Sequence, residues 1–360
     1  MPQLHPRRIP LMAIAMAALI AAIWGGLIRV GLPLPGAATP LPPGHGPLMV
    51  GGFLGTLIGL ERAVAMRHWA AFSAPALAAI GVILVLAGLD LPGGAVLITL
   101  ASLALLIVTG EFVRRHGQLY LTIMTLGVAC WLAGNLLWLA GRPLFEVAWF
   151  WAGFLIFTIA GERLELSRVL RMTPRKQALL LAASGLVLTG LVAALARPDG
   201  GVRILGLGLM ALAAWLFRYD LARRSARAEG LTRFIGICLL SGYGWLAIGG
   251  LLALTFGQAS AGPLYDAQLH AVFLGFAFSM IFGHAPVIFP AVLGLPVGYR
   301  PAFYIHLIVL HAALALRVTG DVFGWLPARQ WGALGNAVAI LLFFALTVYS
   351  VIANLRSTKV

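Results

Sequence analysis

Apolar runs of about 20 residues recur along the whole chain, and this feature restricts the fold more than any other. A helix rises about 1.5 Å per residue, so each run is long enough to cross the hydrocarbon core of a bilayer. Twelve runs can be counted, near residues 10–30, 45–66, 71–90, 94–113, 118–140, 145–165, 177–196, 202–220, 231–256, 265–291, 301–319 and 331–353. We therefore predict an all-α polytopic protein in which residues 1–360 form a single integral membrane domain of twelve transmembrane helices.

The composition agrees with a membrane protein and excludes several other classes. Hydrophobic residues make up 61% of the chain, charged residues only 10%, and the mean hydropathy is +0.98. The net charge of +14 does not indicate nucleic-acid binding, because the basic residues are spread between the apolar runs instead of forming one patch with stacking aromatics. The chain contains no Walker A loop, nucleophile elbow or HExxH motif, so the common soluble-enzyme chemistries are not indicated.

The Lys and Arg residues are distributed unevenly between the two sides of the predicted membrane domain. With the N-terminus placed inside, only six of the 25 fall outside: Arg29, Arg142, Arg197, Arg203, Arg317 and Arg329. Because loops rich in Lys and Arg stay in the cytoplasm, this bias predicts that both termini are cytoplasmic. A cleaved signal peptide is the alternative interpretation of the first run, but its removal would leave an odd number of spans.

Two histidines, His270 and His284, lie fourteen positions apart in the tenth run, DAQLHAVFLGFAFSMIFGHAPVIFP. At roughly 100° per residue they return to within about 40° of each other around the helix, and about 21 Å separates them along its axis. One helix face would then carry an imidazole in each leaflet of the membrane. Ionisable side chains in hydrocarbon are costly, so each of the two is a candidate functional residue.

His45 opens the second run on the same outer side as His270, so the two histidines have similar predicted depths. Neutral imidazoles on facing helices are the usual axial ligands of a low-spin, electron-transferring haem. Glycines follow both histidines and would leave room for a flat macrocycle, although small residues also serve helix packing. These glycines are Gly51, Gly52, Gly55, Gly59 and Gly275. Haem ligation and hydrogen-bonded interfacial histidines are both open at this point.

A second group of candidates lies toward the inner side of the membrane. Span eleven brings His306 and His311 to depths comparable with that of His284. His306 and His311 are five positions apart, about 140° around a helix, so an undistorted helix would direct only one of them at His284. A kink at Pro286 or Pro290 in span ten would change this geometry.

Three glutamates lie near the inner ends of spans two, four and six: Glu61, Glu111 and Glu162. One interpretation is that they form interfacial ion pairs with neighbouring arginines. The other is that they take up protons, or complete a metal site together with His284, His306 or His311. Mixed His and carboxylate ligands suit non-haem iron and all-His ligands suit copper, and the sequence does not choose between them.

The runs HGPLMVGGFLGTLIGL from His45 and HAVFLGFAFSMIFG from His270 resemble the two histidine-led helices of the NnrS family. That family comprises twelve-span haem- and copper-containing membrane proteins associated with nitric oxide metabolism in denitrifying bacteria. It resembles in turn the catalytic subunit of haem-copper oxidases. The chain departs from both patterns, because spans six and seven contain no histidine and only Gly283 and His284 remain of a GHTGR-like stretch.

The resemblance implies a bundle like haem-copper oxidase subunit I, with haem b held by His45 and His270 and with copper or non-haem iron at the inner group. It also implies a location in the bacterial inner membrane, nitric oxide as a ligand and a quinol or periplasmic electron donor. Two alternatives stay open. One is a haem protein for electron transfer or quinol oxidation without gas chemistry, and the other is a proton-coupled secondary transporter without a cofactor.

Overall fold

The computed structural model describes residues 5–36, 39–66, 68–88, 91–167 and 172–357, and within these ranges it contains no strand. Twelve helices in these ranges are long and apolar enough to cross a membrane. They are α1 (Pro6–Arg29), α2 (Leu41–Met66), α3 (Trp69–Leu86), α4 (Pro92–His116), α5 (Leu119–Leu139), α6 (Leu144–Leu166), α7 (Pro174–Ala196), α8 (Pro198–Tyr219), α9 (Gly230–Phe256), α10 (Gly262–Leu293), α11 (Phe303–Val322) and α12 (Leu326–Arg356). The prediction of an all-α, multi-pass membrane protein is confirmed.

The helix ends follow local sequence signals, which is why the predicted spans differ from the helices by only a few residues. At the start of α7, Oγ1 of Thr173 accepts a hydrogen bond from the backbone N–H of Lys176 at 3.4 Å. Pro174 then occupies the first helical position, where its missing N–H costs nothing. α9 ends at Phe256 because Gly257 adopts a φ of +64°, a left-handed conformation that favours glycine.

The chain forms two compact units. Unit 1 comprises Met1–Phe154 and Ile288–Leu295, and unit 2 comprises Leu155–Val287 and Pro296–Val360. Within unit 1, α1 packs on α2, and α4 contacts both α3 and α5. Within unit 2, α8 contacts both α7 and α9, and α11 packs on α12. In each of these pairs the two helices follow one another in the chain, as short connections favour.

Two glycines permit the close approach of α8 and α9 in unit 2. A Cβ on Gly206 would lie 2.5 Å from the carbonyl oxygen of Gly250, and a Cβ on Gly250 would lie 2.7 Å from the carbonyl oxygen of Gly206. Any larger residue would force the two backbones apart. No hydrophobic effect drives helices together in lipid, so their association depends on close packing. Small residues such as these glycines allow that packing.

Two helices, α2 in unit 1 and the part of α10 that belongs to unit 2, change from α-helical to π-helical geometry beside a histidine. In α2 the π-helical segment covers Leu48–Gly55, three residues after His45. In α10 it covers Ala271–Phe278, directly after His270. π-helical turns within α-helices are rare and occur frequently at functional sites. The π-helical segments therefore lie beside His45 and His270, the two histidines that the sequence predicts as a pair of haem ligands.

Candidate functional site

His45 in unit 1 is held by the neighbouring helix α1. Its Nδ1 lies 2.6 Å from the backbone carbonyl oxygen of Ala22, so this nitrogen donates the hydrogen bond. The imidazole also lies against Gly26, where a Cβ would come within 2.8 Å of Nδ1 and Cε1. α1 thus positions the ring in two ways, with a hydrogen bond and with the space that a glycine leaves.

His270 in unit 2 is held by a residue one turn earlier in its own helix. Its Nδ1 lies 2.9 Å from the carbonyl oxygen of Asp266 and 3.2 Å from Oδ1 of the same residue. The other carboxylate oxygen of Asp266 accepts two hydrogen bonds from Arg317, at 2.6 Å from Nη2 and 3.2 Å from Nε. The imidazole is therefore held by a carboxylate that an arginine holds in turn.

Arg329 and Asp321 extend this charged network in unit 2. Nη2 of Arg329 lies 3.6 Å from Oδ2 of Asp266, and its Nε lies 2.7 Å from Oδ1 of Asp321. The Asp321 side chain is fully buried, and only 9% of the Arg317 side chain is exposed. Two carboxyl groups and two guanidinium groups thus pair with one another, which lowers the cost of holding them within membrane-spanning helices.

The acceptors at Nδ1 indicate the same tautomer for His45 and His270. A backbone carbonyl can only accept, so Nδ1 of each ring carries a proton, and in the neutral form of the ring the lone pair lies on Nε2. Histidines that bind metals commonly show this arrangement, with Nδ1–H donated to a carbonyl or a carboxylate. His45 belongs to unit 1 and His270 to unit 2, and the arrangement is the same in each.

The glycines that follow the two histidines pack against neighbouring helices. In each case, a Cβ at the glycine position would lie against a side chain or backbone of another helix. The pairs are Gly51 with Ile98, Gly52 with Val82, Gly55 with Trp131, Gly59 with Pro75 and Gly275 with Trp245. These glycines therefore serve helix packing, which is one of the two interpretations that the sequence left open.

His284 on α10 contacts an arginine in unit 2. Its Nδ1 lies 2.8 Å from the carbonyl oxygen of Met280, and Nη1 of Arg163 lies 2.9 Å from its Nε2. With the proton on Nδ1, Nε2 accepts a hydrogen bond from the guanidinium group. The positive charge of Arg163 would repel a metal cation at this nitrogen, so the contact does not favour His284 as a metal ligand.

Arg163 also approaches Asp220, and both side chains are removed from solvent. Nε of Arg163 lies 3.4 Å from Oδ1 of Asp220, with 5% and 0% of the two side chains exposed. Asp220 accepts further hydrogen bonds from Oγ of Ser167 at 2.7 Å, from Oη of Tyr243 at 2.8 Å and from the backbone of Ala222 at 3.1 Å. We call Arg163, Asp220 and His284 the Arg163 cluster. It joins α6, the end of α8 and α10 within unit 2.

His306 on α11 lies in a cage of aromatic rings. Its imidazole is 4.5 Å from the Phe282 ring and 5.4 Å from the Phe343 ring, measured between centroids, and the residue is only 1% exposed. Nδ1 makes no hydrogen bond with the described residues. The phenylalanine rings offer no second ligand for a metal.

His311 on the same helix uses both of its ring nitrogens. Nδ1 accepts a hydrogen bond from Nε1 of Trp245 at 2.9 Å, and Nε2 lies 2.9 Å from Oγ of Ser241. The indole donates only, so the imidazole proton lies on Nε2 and is donated to Ser241. This network fixes His311 against α9, in surroundings different from those of His284 and His306.

The three candidate glutamates also have separate surroundings. Glu61 lies 3.7 Å from its neighbour Arg62, and Glu111 forms ion pairs of 2.7 and 2.6 Å with the two arginines of the same helix end. Glu162 is half-buried near the end of α6, while the next residue, Arg163, extends to Asp220 and His284. Within the described ranges, no three His, Cys, Asp or Glu side chains are grouped to hold a metal ion.

Several charged residues around the histidines were not singled out from the sequence. Asp266 precedes His270 by four positions, and Arg317 precedes Asp321 by four, a spacing that places two side chains on the same face of a helix. That spacing is a signal in the sequence. Asp220 gave no such signal, because its partners come from distant parts of the chain.

These observations define a multi-pass membrane protein whose membrane-spanning helices carry ion pairs and hydrogen-bonded histidines. The chain belongs to the family described as "Domain of unknown function (DUF8744)", which matches residues 8–352. Comparison with curated proteins and with solved structures gave no match.

Proposed function

We propose that the protein binds haem b within the membrane, with His45 and His270 as the axial ligands. The observation that carries the proposal is the tautomer common to both histidines, in which Nδ1 donates to a backbone carbonyl and Nε2 has the lone pair. Such a lone pair is what an imidazole would offer to haem iron. The π-helical segments beside the two histidines support the proposal, because this geometry is frequent at functional sites.

The donor chemistry of the two histidines fits haem, whereas the helix faces at the glycines do not provide space for it. The side chains of Trp131 and Trp245 fill two of those faces. A macrocycle would therefore contact residues other than the glycines. Copper and non-haem iron are not part of the proposal, because the inner histidines lie against an arginine, a phenylalanine cage and a tryptophan instead of one another.

When bound, haem would supply one-electron redox chemistry within the membrane domain. The protein would tune it differently on the two sides. At His270, the Asp266 carboxylate would orient the ring and make Nε2 a more basic ligand. At His45, Ala22 and Gly26 would orient the ring without adding charge.

The resemblance to NnrS extends the proposal to nitric oxide or respiratory electron-transfer chemistry. The electron donor would be a quinol or a periplasmic protein, and the protein would lie in a bacterial inner membrane. The excess of Lys and Arg on one side of the spans supports cytoplasmic termini. Reduction of the purified protein with a quinol, followed at the haem bands, tests the donor.

The visible spectrum of the purified protein tests the central proposal. We expect a sharp Soret band, with separate α and β bands after reduction. His45→Ala and His270→Ala should each abolish the low-spin signal. His116→Ala is the matched control, because this histidine at the end of α4 is exposed and its Nδ1 bonds to the carbonyl oxygen of Phe112, one turn earlier in the same helix. A colourless preparation, or a low-spin signal that survives both substitutions, would reject the proposal.

A proton-coupled secondary transporter is the second candidate, and the Arg163 cluster favours it. Ionisable groups buried in membrane helices often mark proton or substrate pathways. In this case the protein would be colourless and would move protons when reconstituted in liposomes. Asp220→Asn should stop that movement, whereas Asp199→Asn, which changes an exposed carboxylate at the other end of α8, should not.

A further inference from the structure

A cleft opens in unit 1 at the N-terminal end of α1. It has a volume of about 480 Å³ and is lined by His5, Pro6, Arg7, Arg8 and Phe72. We call it the N-terminal cleft. α1 begins at Pro6 and α3 begins three residues before Phe72, so the cleft lies where membrane-spanning helices begin. This position is the boundary between hydrocarbon and lipid head groups.

The walls of the cleft are fixed by contacts with the end of α10. Nη1 of Arg8 donates a hydrogen bond to the carbonyl oxygen of Val292 at 2.7 Å, and the backbone N–H of His5 donates to that of Leu293 at 3.2 Å. Phe72 packs against the apolar cluster that includes the same two residues of α10. The basic and the aromatic walls are therefore held in place by one segment of the chain.

The chemistry of the N-terminal cleft has two parts. Arg7 and Arg8 provide guanidinium groups, which bind phosphate oxygens through charge-assisted hydrogen bonds. Pro6 and Phe72 provide an apolar wall beside them. A free phosphate ion would leave this wall exposed to water, whereas the phosphate and glycerol of a lipid would use both parts.

The surface next to the cleft also suits a lipid. Trp69, in the same turn as Phe72, is 82% exposed, and Ile9, the residue after Arg8, is 41% exposed. Tryptophan is enriched at the level of the head groups, where its ring is partly in hydrocarbon. Apolar side chains are thus available for the acyl chains of a molecule whose head group occupies the cleft.

We propose that the N-terminal cleft binds the head group of an anionic phospholipid, with the lipid phosphate held by Arg7 and Arg8. Basic pockets between membrane helices recognise anionic head groups in this way. The site lies within unit 1, and it does not depend on whether the protein binds haem.

Native mass spectrometry of the detergent-purified protein tests this proposal with phosphatidylglycerol and phosphatidylcholine of identical acyl chains. We expect phosphatidylglycerol to bind more tightly, and Arg7→Gln to weaken its binding by about fivefold. Arg7→Gln is the primary variant, because Arg8 also holds the backbone of α10 and its replacement could disturb folding. Arg29→Gln is the matched control, since Arg29 is the arginine at the opposite end of α1.

Binding that weakens in Arg7→Gln and not in Arg29→Gln, and that persists in excess inorganic phosphate, supports the proposal. Equal binding of the two lipids would show that the cleft does not recognise charge and would overturn it. Displacement of the lipid by inorganic phosphate would identify a free phosphate site and would also overturn it. Unchanged affinity in Arg7→Gln would place the lipid elsewhere.

Discussion

The two units differ in the polar groups that they bury. Among the described residues, the buried polar side chains of unit 1 are all uncharged: Thr56, Thr99, Ser102, Thr109 and Asn135. Unit 2 buries four charged residues: Arg163, Asp220, Arg317 and Asp321. The same contrast holds at the two candidate haem ligands, since His45 donates to a neutral backbone carbonyl and His270 to a residue whose carboxylate binds an arginine.

This contrast indicates different roles for the two units. A neutral network, such as Trp151 donating to Asn135 and Asn135 donating to Ser102, fixes side chains without making the interior sensitive to charge. Burying a charged side chain inside a membrane protein is costly, and the cost is tolerated where a side chain of opposite charge is paired with it. We therefore expect a proton or an electron that enters unit 2 to act on its buried charges, whereas unit 1 should contribute mainly geometry.

The largest effect is expected from breaking a buried ion pair in unit 2. Arg163→Leu would leave the Asp220 carboxylate without its cation, and we expect the free energy of unfolding in mixed micelles to fall by about 3–5 kcal/mol. Arg114→Leu is the control, because its pair with Glu111 is at the surface and its loss should change stability little or not at all. Similar losses in the two variants would contradict the importance of buried charge.

The next effect is expected at the neutral site of unit 1. In Gly26→Ala the new Cβ would displace the His45 imidazole, so we expect a stability loss of up to about 3 kcal/mol and a weaker low-spin haem signal. Gly110→Ala is the control, because a Cβ at that position of α4 meets nothing within 4 Å. A normal spectrum in Gly26→Ala would mean that the ring does not need this space.

The sequence predicted the fold well because hydrophobic length is a local property. Each of the twelve spans could be read from its own residues, and their ends were displaced by only a few positions. The largest difference, at α12, arises because Leu326 and Pro327 begin the helix before the apolar run does. The resemblance to haem-copper oxidases is a separate prediction, which the helices alone do not test.

The candidate site was harder to predict because its contacts join distant residues. Depth along a span could be counted, and it grouped His284, His306 and His311 at one level. The direction of each ring depends on partners such as Arg163, which is 121 positions from His284 in the chain. The sequence therefore gives the depth of each histidine along its span, but it does not show whether the imidazole rings point toward one another.

A smaller effect is expected when single hydrogen bonds are removed. The loss of stability should be larger for a bond to a charged group than for a bond to a neutral group. Tyr243→Phe removes a donor to the Asp220 carboxylate in unit 2 and should lower stability by about 2 kcal/mol. Ser102→Ala removes the acceptor of Asn135 in unit 1 and should lower it by about 1 kcal/mol. Chemical unfolding of both variants in the same detergent gives the comparison. A larger loss in Ser102→Ala would reverse the contrast between the units.

The smallest effect is expected for Glu111→Gln, which changes charge at the surface of unit 1. Glu111 is paired with Arg114 and Arg115, whose side chains are 74% and 63% exposed, so water replaces the lost interaction. We expect no measurable change in thermal stability, in the haem bands or in proton movement. The same measurements on Asp220→Asn, where the carboxylate is fully buried, should show a clear change. A functional defect in Glu111→Gln would place this glutamate, and with it part of a proton pathway, in unit 1, contrary to the expectation that the buried charges of unit 2 respond to protons.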